Sequence, residues 1–283
     1  MFEIVEKEIY SPRIKMFKVR APYVAAKAQP GHFIIIRIHD KGERIPLTIA
    51  DSDKDAGTVT IVFQEVGKTT YELGAYEVGD TIHDLLGPLG TPYDVEKIGS
   101  VVCVSGGVGV APMYPKAKAH YEIGNKVISL IGAQSKSLFF FTEKISSVSH
   151  EIAYSTDDGS YGHHGFVTEL LKDVIERGEK IDEVVAIGPL PMMRAVCEVT
   201  RPYEIKTIVS LNPIMVDGTG MCGSCRVTVG GETKFSCVDG PAFDGHLVDF
   251  AELIERQRRF LIEERSAMEH FHGKGGTCGC HKK

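Results

Sequence analysis

The apolar pattern of the chain changes character at Gly99, and no single sheet or bundle accommodates both sides of the change. Before it, FEIVEKEIY, HFIIIRIHD, TVTIVFQEV and DTIHDLLG are short β-type segments, interrupted by Pro or Gly every ten residues or so. Strands of this kind avoid exposed edges by closing into a small antiparallel barrel or sandwich, so residues 1–98 are expected to form an all-β domain. After Gly99, VVCVS runs into a Gly-rich turn and a helix. VISLIGA, LFFFTEK, EIAYSTDD and EVVAIG then read as further strands, with helices around Phe166–Arg177 and from about Pro191. That alternation predicts an α/β domain over 99–208, its parallel sheet presenting ligand sites at the carboxyl ends of the strands. The fold class expected is therefore α+β and multidomain.

Residues 209–246 are too irregular and too rich in Gly and Cys to pack a sheet of their own, so something other than an apolar core must hold them. Beyond them, LVDFAELIERQRRFLIEERSAMEH carries Leu247, Phe250, Leu253, Ile254, Phe260 and Leu261 at helical spacing and predicts one amphipathic helix over 247–268. The last stretch, FHGKGGTCGCHKK, has no core-forming residues. A chain of 283 residues is long enough for such an arrangement. Its 32 Lys and Arg against 38 Asp and Glu, a net charge of −6, remove the electrostatic reason to expect nucleic acid or an anionic membrane as partner. The acidic amino terminus MFEIVEKEIY is unlike an export signal, and no apolar run approaches the ~18 residues of a membrane span, so a cytoplasmic location is expected.

Five of the seven Cys follow residue 220. In a chain read as cytosolic, such a cluster points to metal binding or redox work rather than to disulfides. The pattern is Asp217-x4-Cys222-x2-Cys225-x11-Cys237, which meets three of the four positions of the plant-type [2Fe–2S] spacing and has Asp at the first. Gly218, Gly220, Gly223 and Ser224 let the backbone curl and aim amides at a negatively charged cluster. The fourth donor is Asp217, Asp239, Asp244 or one of Cys278 and Cys280. A structural zinc site drawing on the tail is the alternative. A second such site would use Cys278, Cys280 and His281 with His270 and His272. Cys103 and Cys197, in a predicted strand and helix, read as buried thiols.

In CVSGGVGVAPM a strand enters Gly106, Gly107, Val108 and Gly109 and continues into a helix through Ala111 and Pro112. Glycine permits close approach of a pyrophosphate, and a helix amino end favours its charge. Only part of the dinucleotide fingerprint is present. Two further turns, one at Asp157–Gly162 and one through Gly188, Pro189 and Met192, fall at the same predicted end of the sheet. In the β-domain, Arg44 with Pro46, Leu47 and Thr48, and Gly67 with Thr69 and Thr70, combine a cation, hydroxyls and a bend suited to a phosphate-bearing cofactor. No metalloprotease, nucleophile-elbow or P-loop motif is present, and no catalytic side chain is assigned.

Taken in order, RIPLTIA, VGKTT, GPLG at 87–90, SGGVGVAP, GPLPMM and DGTGMCGSC with its distant Cys resemble the ferredoxin-reductase-like flavoproteins, and within them the electron-transfer subunits of the dihydroorotate dehydrogenase B type. The resemblance spans about 1–246. It implies a barrel for FAD, an α/β domain for NAD(H) and a [2Fe–2S] subdomain. Flavin contacts would fall on Pro46, Leu47, Thr48, Val62, Phe63, Gln64, Thr69 and Thr70, and nicotinamide contacts on Gly107–Pro112 and Gly188–Met192. Ile45 stands where the family usually has Arg, the cation lying one place earlier at Arg44. Asp217 in place of Cys, with ERIPLTIAD and the Cys-containing tail, looks like the branch formed by small subunits of electron-bifurcating ferredoxin:NADP oxidoreductases. That implies a larger flavin and iron–sulfur partner subunit, with ferredoxin reached through it. Electron transfer to a dihydroorotate dehydrogenase is the nearer alternative, and a non-catalytic zinc-containing assembly module the more distant one. Gln134, where an Arg would read a 2′-phosphate, points to NAD, whereas Lys136 nearby points the other way.

Overall fold

The computed structural model describes residues 1–273, the last two by backbone alone. Seven strands, β1 (Phe2–Ser11), β2 (Ile14–Arg20), β3 (Phe33–Arg37), β4 (Arg44–Asp53), β5 (Thr58–Gln64), β6 (Thr81–Ile82) and β7 (Asp84–Leu89), pair antiparallel in the order β6-β1-β2-β5-β4-β3-β7 and curl into a near-closed barrel. Two short helices, α1 (Pro22–Ala25) and α2 (Lys68–Gly74), close its ends. Strand β3 explains its own unbroken apolar sequence. Ile34 and Ile36 enter the barrel core with Phe17, Val59 and Ile61, while Phe33 and Ile35 face outward against Met215, Cys225 and Cys237. Burying each of these side chains contributes about 1.5–3 kcal/mol.

The second sheet holds β8 (Ser100–Gly106), β9 (Lys126–Ala133), β10 (Glu151–Thr156), β11 (His163–His164), β12 (Glu183–Ile187) and β13 (Lys206–Ser210), all parallel. Its helices are α3 (Val110–Glu122), α4 (Thr142–Ser146), α5 (Val167–Glu176) and α6 (Leu190–Thr200). Strand β8 is buried on both faces: Val102 and Val104 pack beneath α5 and α6, Val101 and Cys103 beneath α3. The strand order β11-β10-β9-β8-β12-β13 reverses direction between β8 and β12, which makes the carboxyl ends of those two strands the topological switch point.

Three expectations are corrected. Leu138–Lys144 is not a strand. Phe139 packs edge-on to Tyr154, Phe140 stacks on Tyr10 of the barrel with centroids 4.9 Å apart, Phe141 is buried, and α4 begins at Thr142. The aromatic run is an anchor between barrel and α/β layer, which a period-two reading of three consecutive Phe cannot distinguish from a strand. Residues 209–246 do contain pairing: β14 (Arg226–Val229) and β15 (Glu232–Phe235) form a hairpin through Gly230 and Gly231, both at positive φ, and β16 (Ala242–Asp244) adds an antiparallel edge to β13. The helix expected over 247–268 is two helices, α7 (Phe250–Gln257) and α8 (Leu261–Gly273). Asp249 caps α7, its carboxylate accepting from the Glu252 amide at 2.9 Å. Phe250 and Leu253 pack with Val227 and Val229, whereas α8 reaches α2, where Phe271 meets Tyr71 at 6.3 Å between centroids. One straight rod cannot dock on both surfaces.

Among the described residues no helix is long and apolar enough to cross a membrane.

Candidate functional site

The turn after β8 and the turn after β12 lie against each other at the switch point. A Cβ on Gly106 would come within 2.5 Å of the Met192 sulfur, one on Gly188 within 3.0 Å of the Gly106 nitrogen, and one on Gly109 within 2.2 Å of the Ile187 carbonyl oxygen. Gly107 is different: it holds φ +55°, and a Cβ there would meet nothing within 4 Å. Three glycines thus permit close packing, and the fourth leaves an open side on which a phosphate can approach the backbone. Gly106, Gly107, Val108, Gly109, Ala111, Pro112, Gly188, Pro189 and Met192 are therefore brought together. Asp157 sits apart, on the turn after β10, two strands away at the same end of the sheet; its amide donates to the Ala133 carbonyl at 3.1 Å. Gln134 is exposed, and the Lys136 ammonium stands 5.2 Å over the Tyr161 ring.

The same end of the sheet meets the barrel. Val110, Ala111 and partly buried Val108 share a core with Ala50 of β4 and Val62 of β5. Lys144 closes the contact with an ion pair to Asp51 at 3.1 Å. On the barrel, Arg44, Pro46, Leu47 and Thr48 lie along β4, and Val62, Phe63 and Gln64 end β5. Thr69, nearly buried, donates to the Glu43 carboxylate at 2.7 Å. The Thr70 hydroxyl accepts from the amides of Val66 and Gly67 at 3.0 and 3.1 Å and donates to the Gly67 carbonyl, which locks the turn into α2. Phe63 points into the barrel core.

Across the β3–β4 ladder, Phe33 stands opposite Thr48 and Ile35 opposite Pro46. Opposed residues of an antiparallel pair share a face, so Pro46 and Thr48 project to the side on which Phe33 and Ile35 receive Cys225 and Cys237. The two cysteine sulfurs are 3.2 Å apart and buried. Burial, reinforced by the neighbouring Cys225, pushes the Cys237 thiol up to about 12. The loop carrying Asp217 lies directly on the barrel: a Cβ on Gly218 would come within 2.7 Å of Leu89 and 2.9 Å of Ile35. Asp217 accepts from the Thr219 amide with one oxygen and from the Cys222 amide with the other, both at 2.9 Å, and these bonds hold its carboxyl below the usual range. Cys222 is exposed; desolvation opposes its thiolate, but hydrogen bonds from Ser224 prevail and lower its pKa.

Of the four expected ligands, Cys225 and Cys237 bring their sulfurs together, while Asp217 accepts from the main-chain amide of Cys222. A binuclear iron–sulfur cluster takes two protein donors per iron, and the soft thiolates suit it, so the donor set fits. Among the described residues no three His, Cys, Asp or Glu side chains converge on a single-ion position. Like Asp217, Asp239 and Asp244 accept from backbone amides, those of Phe235 and His246. Cys278, Cys280 and His281 lie outside the described residues, as does the His272 side chain, while the His270 ring bonds to the Ser266 carbonyl. Cys103 and Cys197 are buried thiols, pushed up to about 12 chiefly by desolvation.

A network that sequence reasoning missed joins these parts. Gly90–Gly99 links barrel to sheet, and Thr91 donates to the carbonyls of Gly240 and Val238 in the cluster region at 2.6 and 2.8 Å. The Tyr93 amide donates to Pro30 of the barrel, and its hydroxyl bonds to Glu183 of β12 and to His120 of α3. Lys206 completes the buried Glu183 carboxylate at 2.6 Å. Lys116, fully buried, stands 4.8 Å over the Tyr93 ring, and desolvation lowers its pKa to about 8. The only signal in sequence was an isolated Tyr in a Gly/Pro-rich connector.

Comparison with known proteins places these features in context. Residues 212–249 match the iron-sulfur cluster binding domain of dihydroorotate dehydrogenase B. The chain is 45% identical to the dihydroorotate dehydrogenase B (NAD(+)) electron transfer subunit homolog of Thermotoga maritima, over 95% of each chain. It is 35% identical to the dihydroorotate dehydrogenase B (NAD(+)) electron transfer subunit of Bacillus caldolyticus, over 85% of this chain and 94% of that one. It also resembles a chain in the solved structure of a NADH-dependent reduced ferredoxin-NADP oxidoreductase studied for flavin-based electron bifurcation, with 44% identity, a TM-score of 0.91, and coverage of 96% of this chain and 98% of the other.

Proposed function

Because the chain belongs to the family of dihydroorotate dehydrogenase B electron-transfer subunits, we propose that it is the small, FAD- and [2Fe–2S]-bearing subunit of an electron-bifurcating NADH-dependent ferredoxin:NADP oxidoreductase. The observation that carries this reading is the near full-length match to the bifurcating enzyme's chain at a TM-score of 0.91. Asp217 at the first ligand position, where the orotate-pathway subunits usually have Cys, agrees with it. We assign 1–98 to FAD, 99–208 to NAD(H), 209–246 to the cluster, and 247–283 to the appended helices and tail.

When bound, the flavin and cluster together convert two-electron hydride exchange with NAD(H) into single-electron transfer. The chain's own residues supply position. The Gly106–Pro112 and Gly188–Met192 turns at the switch point would hold the dinucleotide, and Arg44, Pro46, Leu47 and Thr48 with Val62, Phe63, Gln64, Gly67, Thr69 and Thr70 would hold the flavin. Asp217, Cys222, Cys225 and Cys237 would hold the cluster, and the buried Cys225 and Cys237 lie on the side of the β3–β4 ladder to which Pro46 and Thr48 also project. A larger catalytic subunit receives or supplies the single electrons, and ferredoxin is reached through it.

The family matches favour a second reading, electron transfer to a dihydroorotate dehydrogenase. The test is visible absorption and low-temperature EPR of the purified protein before and after NADH, with iron and sulfide quantified, in wild type and Asp217→Cys. Flavin bands and a rhombic [2Fe–2S] signal are expected, with cluster content retained and g-values changed in the variant. A colourless zinc protein overturns the reading. A co-purifying subunit that oxidises dihydroorotate selects the second one.

A further inference from the structure

A cavity of about 220 Å³ opens beside the cluster loop, between the Cys222–Ser224 turn and the end of α7. Three guanidinium-bearing residues line it: Arg226 from the first residue of β14, Arg256 from the last turn of α7, and Arg259 just beyond that helix. Arg256 is 9% exposed and donates one N–H to the Ser224 carbonyl at 3.4 Å. Among the described residues no carboxylate pairs with any of the three. Desolvation and then the fields of Arg259 and Arg226 lower the pKa of Arg256, and Glu252 offsets part of that repulsion.

Arg226 and Arg259 are exposed and Arg256 is buried, so the three cations repel one another across a wall open to solvent, and an entering anion relieves that repulsion. Guanidinium forks match the paired oxygens of phosphate and carboxylate. The cavity is smaller than the ~300–1,000 Å³ of pockets that take drug-sized ligands, which restricts the occupant to a small ion. We propose that Arg226, Arg256 and Arg259 form a binding site for a small oxyanion, a single phosphate or a short dicarboxylate, whose occupancy is linked to the oxidation state of the neighbouring iron–sulfur cluster. The redox link rests on the assignment of Cys222 and Cys225 as cluster ligands; the anion site itself does not. An electron placed on the cluster adds negative charge next to this wall, so the reduced protein binds the anion more weakly. By reciprocity the anion makes the cluster harder to reduce.

Isothermal titration of the full-length protein with sodium phosphate, and separately with malonate, at ionic strength held constant with chloride tests the site. Saturable binding of at least one is expected, and the tighter of the two identifies the anion class. Arg259→Gln, at an exposed position where the fold is not at risk, should weaken it about tenfold, as should Arg256→Gln, whereas Arg258→Gln, outside the cavity, should not. An EPR-monitored reductive titration should show less reduced cluster with the anion than without it at the same applied potential, the difference vanishing in Arg259→Gln. Absence of saturable binding, or equal binding in wild type and both cavity variants, overturns the site. An anion-independent cluster titration overturns the link. A protein with no cluster signal refutes the cluster assignment and leaves the calorimetric result standing.

Discussion

Gly109 shows how much one hydrogen atom in place of a side chain decides. It faces the Ile187 carbonyl oxygen at a distance no Cβ can occupy, and so lets the turn after β8 close onto β12. Gly109→Ala should push the two turns apart and raise the dissociation constant for NADH about tenfold or more, with flavin content unchanged, as read by anaerobic NADH titration. The density of glycine after VVCVS was legible as a tight strand-to-helix turn. Which glycine serves packing and which leaves room for a ligand was not, because that depends on β12, almost eighty residues further along. Asp217 is a similar case: its place in the Cys spacing was legible, but its two bonds to the amides of Thr219 and Cys222 follow from how the loop is curled on Leu89 and Ile35.

At the scale of elements, the apolar runs HFIIIRIHD and VVCVS were legible as strands, and the structure covers β3 and β8 on both faces. The run Leu138–Lys144 carried the same signal and is instead an aromatic anchor, since local pattern reports burial without saying which partner causes it. The hairpin of β14 and β15 had a readable signature, Gly230-Gly231 after the alternation Val227-Thr228-Val229, masked by the dominance of the Cys spacing. Helix α7 covers that hairpin. Leu253, 1% exposed against Val227 and Val229, is its central contact. Leu253→Ala should cost about 2–5 kcal/mol, measured by denaturant unfolding, and lower iron retention, because the hairpin joins Cys225 to Cys237.

Across the whole molecule, electron flow requires three bodies held at fixed separations, and the connector Gly90–Gly99 touches all of them. Thr91 reaches the cluster region, the Tyr93 amide the barrel, and the Tyr93 hydroxyl the buried Glu183 of the parallel sheet. Tyr93→Phe removes a donor from that carboxylate and should cost about 1–3 kcal/mol in thermal unfolding. Because Tyr93 bonds to the barrel through its amide and to the parallel sheet through its hydroxyl, loosening it should slow stopped-flow reduction by NADH about tenfold while NADH affinity holds. By itself the sequence determined the order of barrel, α/β layer and Cys-bearing region, and the spacing of Asp217, Cys222, Cys225 and Cys237, because each is encoded in short-range periodicity, turn chemistry and spacing. Only the tertiary structure decided that Pro46 and Thr48 share a face with the cysteine pair, that the two glycine turns meet at one switch point, that the C-terminal helix divides to reach two bodies, and that Tyr93 braces them. Those relations join residues far apart in the chain, and long-range packing leaves no periodic trace in the sequence.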